Sequence, residues 1–142
     1  MNPILRKNVI ATLIGILIGG FVNMAIITLG PMIIPPPEGA DLTTTEGILA
    51  AMPSMESKHF IVPIIAHALG TLVGAFIAAK YAASNHLKLA LLVGVVFLLG
   101  GAYMAYLLPA PSWVEITDLA IAYLPMGWLG WKLAGGKQPN FA

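Results

Sequence analysis

Across 142 residues the chain carries seven Lys or Arg, six Asp or Glu and 58% apolar side chains. Charged residues make up 9% of it, against about 25% in a soluble domain, too few to cover a water-facing surface. That excludes an ordinary soluble enzyme, a nucleic-acid binder and a disordered chain, and the absence of cysteine removes disulfides, thiolate metal sites and cysteine nucleophiles.

The pattern is that of one integral membrane domain over residues 1–142. The first apolar run spans Asn8 to Gly30, about 23 residues or roughly 34 Å of helix, enough to cross a hydrocarbon core of about 30 Å. It shows no period-2 alternation, so a helix and not a barrel strand is expected. Arg6-Lys7 precedes it as in a leader, but the run is too long and no A-x-A site follows, so it reads as a retained span. Ala11, Gly15, Gly19 and Asn23 recur every fourth residue, the spacing that lets membrane helices approach closely.

Residues 31–58 form a long outer link. Pro35-Pro36-Pro37 forces an extended start. Thr43-Thr44-Thr45-Glu46 is a capping-box pattern ahead of Gly47–Met52, predicting a short helix on the outer surface that ends near Pro53. Links of this length are usually functional or disordered; a cover over the bundle mouth and a passive connector are equally compatible with it.

Three more runs follow, at about 59–79, 87–108 and 113–133, joined by the short turns 82–86 and 109–112. The second carries the ladder Ala66, Gly70, Gly74, Ala78; the third has Gly94, Gly101 and Ala105, with Gly100 beside them; the fourth has Gly127, Gly130 and Ala134. Pro63 and Pro125 predict kinks in the second and fourth runs, static ones on the plainer reading. Short turns make neighbouring helices antiparallel. The expected fold is therefore all-α: an antiparallel four-transmembrane-helix bundle with a short outer-surface helix between the first and second spans.

Arg6, Lys7, Lys80, Lys88, Lys132 and Lys137 fall on one side of this arrangement and only Lys58 on the other. The positive-inside rule then puts both termini in the cytoplasm of a plasma (bacterial inner) membrane. Spread over separate segments, these basic residues read as orientation signals and not as a headgroup site. The bilayer is the one certain partner; a homo-oligomer or a larger membrane complex is compatible with the small-residue faces.

Polar groups inside a bilayer are costly and usually face the bundle interior. Asn23, His67, Tyr103 and Asp118, one per span, all fall roughly 7–12 Å below the outer boundary by helix rise. They are the expected lining of an outward-facing pocket. His59, Tyr106 and Glu115, joined by Glu46 of the surface helix, form a second ring nearer water. A His67–Asp118 pair is suited to hold or pass a proton, and two histidines with two carboxylates have the chemistry for a divalent metal. Against the metal, no HExxH, HxxxH or HxxE spacing occurs; no cofactor is specified. The plainer readings are a structural His67, a solvated His59, a Glu115 favoured by a helix N-terminus, and Tyr106, Trp113, Trp128 and Trp131 as interfacial anchors. Asp118 has no Lys or Arg at its depth and needs a partner.

The expected function is binding or transport of a proton, a small cation or a small polar solute. A non-catalytic subunit of a larger membrane complex is the first alternative. A membrane enzyme acting on a lipid-like substrate, with His67 and Asp118 as acid and base, is the second, although no residue pattern specifies a reaction.

Overall fold

A computed structural model describes residues 2–136, so Lys137 of the orientation argument lies outside it. The regular structure among the described residues is all helical, its α-helices in the order α1 (Pro3–Leu29), α2 (Thr45–Ala51), α3 (Ile61–Tyr81), α4 (His86–Leu107), α5 (Ser112–Ile121) and α6 (Leu124–Leu133). Three helical segments are long and apolar enough to cross a membrane: Pro3–Met32, Ser57–Tyr81 and His86–Leu107.

Helix α1 begins at Pro3, ahead of its apolar run. Asn2 accepts from the Ile4 N–H at 2.9 Å, and Pro3 stands where a missing N–H costs nothing. Pro63 falls in the first turn of α3, which is preceded by a 3-10 turn over Ser57–Phe60. Proline is tolerated there, so the expected mid-span kink is replaced by a proline-started helix.

The fourth apolar run is not one helix. The helix is interrupted between α5 and α6 at Ala122 and Tyr123, where Tyr123 takes φ −119° and ψ −80°. Pro125 supplies no donor to Ile121, and its ring crowds that carbonyl one turn back. The kink expected at Pro125 is thus a full interruption.

Helix α3 packs against α1, α4 and α6. The α1 face is the pair of ladders read from the sequence. A Cβ on Gly15 would sit 2.5 Å from the Gly74 carbonyl oxygen, and one on Gly19 would sit 2.5 Å from that of Gly70. The approach is reciprocal, since a Cβ on Gly74 would meet the Gly15 carbonyl oxygen at 2.7 Å. On the other side of α3, a Cβ on Gly130 would come within 2.8 Å of Leu72 O and Phe76 N. The buried core is accordingly made of small side chains, Ala75, Ala78, Ala79 and Ala90, closed by Val93 and Trp131. Close backbone contact, and not transfer of oily side chains from water, is what holds helices together in lipid.

One polar clamp ties α1 to the turn between α3 and α4. Asn8 is buried on α1. Its Oδ1 accepts from the N–H groups of Ala83 at 2.8 Å and Ser84 at 3.2 Å, and its Nδ2 donates to Ser84 Oγ at 3.0 Å. Asn85, in the left-handed region at φ 56°, turns the chain into α4.

The link from α1 to α3 carries the expected short helix with a shifted cap. Asp41 Oδ1 accepts from both the N–H and the hydroxyl of Thr43. With that hydroxyl taken, Thr44 becomes the N-cap and accepts from Gly47 N at 3.0 Å. Glu46 therefore lies in the first turn of α2 and does not close a capping box.

Candidate functional site

His67 on α3 and Asp118 on α5 meet: Nδ1 lies 2.8 Å from Oδ1. A third group joins them. Tyr123, 1% exposed, donates its hydroxyl proton to Asp118 Oδ2 at 2.7 Å. The same hydroxyl oxygen is 3.0 Å from His67 Nδ1, and the two rings lie 5.8 Å apart at an interplanar angle of 30°.

The donor assignments follow from chemistry. With Asp118 ionised its oxygens only accept, and His67 Nδ1 then carries the proton that Oδ1 receives. The hydroxyl hydrogen of Tyr123 is committed to Oδ2, which leaves its oxygen as a second acceptor for the Nδ1 proton. The Asp118 carboxylate thus has a donor on each oxygen, and its side chain is 12% exposed. No described residue hydrogen-bonds His67 Nε2, and the His67 side chain is 25% exposed.

The break before Pro125 creates this geometry. On an unbroken helix Asp118 and Tyr123, five apart, would point about 140° from each other. The interruption at Ala122–Tyr123 turns the Tyr123 ring back onto α5. It lies along α4: the Tyr123 carbonyl is 3.1 Å from where a Gly94 Cβ would stand, and its hydroxyl occupies the place of a Gly101 Cβ. Gly94 and Gly101 are therefore the walls of the tyrosine slot.

The other residues expected at this depth are placed apart. Tyr103 is 62% exposed: Gly101 faces Tyr123, and two residues further on the helix has turned about 200°. Tyr106 is more exposed still, at 83%. Asn23 sits against Gly70 on the α1 side of α3, its Oδ1 buried with no partner among the described residues. Thr71, one turn along α3 from His67, is likewise buried with Oγ1 unpartnered.

The residues expected nearer water have local roles. His59 Nδ1 accepts from the Glu56 N–H at 2.8 Å and Nε2 donates to the Pro35 carbonyl at 3.1 Å, pinning the two ends of the α1–α3 link together. Glu115 accepts from the Ala110 N–H at 3.1 Å, bracing the turn that enters α5. Glu46 is exposed on α2. Among the described residues no group of three or more His, Cys, Asp or Glu side chains could hold a metal ion.

Tyr123 had a sequence signal that polar-residue depth alone does not read. It is an aromatic hydroxyl two residues before a proline, five beyond the buried Asp118. Comparison with protein-family models, with curated proteins and with solved structures gives no match.

Proposed function

We propose that the chain is a small integral membrane protein of four antiparallel spans, the fourth made of α5 and α6. Its His67–Asp118–Tyr123 cluster binds a proton in the outer half of the bilayer, in the service of transport or ligand binding. The distribution of Lys and Arg supports a plasma (bacterial inner) membrane with both termini cytoplasmic.

One observation carries the proton reading. His67 Nδ1 and the Tyr123 hydroxyl already satisfy both oxygens of Asp118, while Nε2 has no hydrogen-bond partner among the described residues. A proton added at Nε2 changes the cluster from singly negative to neutral and breaks none of its hydrogen bonds. The preformed bonds remove the cost of rearrangement. Asp118 is also the sole buried carboxylate among the described residues, and so the one group suited to neutralise a small cation taken up in place of that proton.

The test is proton flux in proteoliposomes under an imposed pH gradient. Asp118→Asn and His67→Ala should each abolish most of the flux. Unchanged flux in both variants overturns the proposal.

A second reading, a non-catalytic subunit of a homo-oligomer or larger complex, is favoured by Gly20 and Gly100. A Cβ on either would meet nothing within 4 Å, so each leaves room on a helix surface for another helix to approach. Mass analysis after gentle detergent purification separates a lone monomer from such an assembly.

A further inference from the structure

Between the first turns of α1 and the last turns of α3 runs an open groove of about 230 Å³, lined by Lys7, Ile10, Ala11, Ile14, Ile77 and Tyr81. Its lining is graded along the helix axes. Lys7 and the 59% exposed Tyr81 stand at the end where Asn8 meets the Ala83–Ser84 turn. Ile10, Ile14 and Ile77 lie deeper, toward the level where Gly15 meets Gly74. The small side chain of Ala11, 4% exposed, forms the floor.

Among the described residues the ion pairs are Lys58–Glu56 and His67–Asp118, so no described carboxylate pairs with Lys7. A cation and a phenol over an aliphatic trough match one kind of molecule: an amphiphile with an anionic head and an alkyl tail, lying along the helices.

We infer that this groove, against the sequence reading of Lys7 as an orientation signal alone, is a binding site for an anionic phospholipid, its phosphate at Lys7 and one acyl chain over Ala11 between Ile14 and Ile77. Lysine near an anionic headgroup is worth about 1 kcal/mol, and the tail gains close van der Waals contact along a preformed trough. The site is at the opposite end of the bundle from the His67 cluster and is independent of what that cluster does.

The experiment is native mass spectrometry of the full chain released from mild detergent, titrated with phosphatidylglycerol or with phosphatidylcholine of identical acyl chains. The native protein should retain phosphatidylglycerol about fivefold better, the worth of one lysine at an anionic surface. Lys7→Gln should bring the two lipids level, Lys7→Arg should keep the preference, and Ile14→Trp, which fills the trough from its rim, should lower retention of both. Lys88→Gln, on α4 away from the groove, should leave the preference intact. Equal retention of the two lipids by the native protein overturns the inference. So does an unchanged preference in Lys7→Gln, or a loss in Lys88→Gln as large as that in Lys7→Gln, which would mark a diffuse effect of surface charge.

Discussion

The hydroxyl of Tyr123 occupies the space that a side chain on Gly101 would take. One residue's absence of a Cβ thus decides whether another reaches Asp118. Gly101→Ala should push the ring off Asp118 Oδ2 and destabilise the protein by about 1–3 kcal/mol, the usual cost of overpacking. Gly100→Ala next to it meets open space and should be neutral or slightly stabilising. Thermal unfolding of both variants in the same detergent checks the contrast.

Tyr123→Phe keeps the ring in its slot and removes only the hydroxyl. Asp118 Oδ2 then loses its donor at 2.7 Å, and a buried acceptor left unpaired costs about 1–3 kcal/mol. The midpoint of chemical or thermal unfolding should fall accordingly. In the flux assay the variant should retain partial activity, since His67 and Asp118 still meet. A fully native flux would assign Tyr123 a purely structural part.

The glycine ladders predict a second contrast. Gly74→Ala places a methyl group 2.7 Å from the Gly15 carbonyl oxygen, closer than real contacts allow, and α1 must move away from α3. A loss of about 1–3 kcal/mol is expected. Gly20→Ala, on the open side of α1, should cost nothing, because alanine is the better helix former. Crosslinking between cysteines placed at Ala11 and Ala78 should report the separation in the first variant and its absence in the second.

The link between α1 and α3 has its own pH dependence. The Thr43 hydroxyl and N–H, with the Thr44 hydroxyl, hold the Asp41 carboxyl below its ordinary value of 3.8. A carboxyl depressed in the folded state stabilises it fully above the ordinary value, and that contribution is lost as pH falls through the lower, folded one. Hydrogen exchange at Thr43 and Gly47 should therefore be slow at neutral pH and rise, relative to its intrinsic rate, only in strong acid. Asp41→Asn should show the faster exchange already at pH 7.

Much of this molecule is legible in residue spacing. The Ala11–Gly15–Gly19 and Ala66–Gly70–Gly74–Ala78 stripes meet as their period requires, and His67 finds Asp118 because a carboxylate in an apolar run has few places to go. Tyr103 was misplaced because depth along a helix says nothing of direction around it. Its angle is set by Gly94 and Gly101, which are claimed by Tyr123. Tyr123 itself was hidden by Pro125: a proline in an apolar run announces a disturbance, but whether the chain bends or breaks depends on neighbours that lie far away in sequence. The role of Asn8 was equally out of sight, for its partners are Ala83 and Ser84 in a turn on the far side of the second span.

A ladder of small residues repeated every fourth position is nearly self-similar. If α1 slid by one turn along α3, Gly15 would find Gly70 where it now finds Gly74, and the screw-like fit would be almost as good. Asn8 removes that degeneracy. A slip of one turn strands its amide and the two peptide groups it holds, so a single side chain in the second turn of α1 serves as the index mark that fixes axial position for the whole helix.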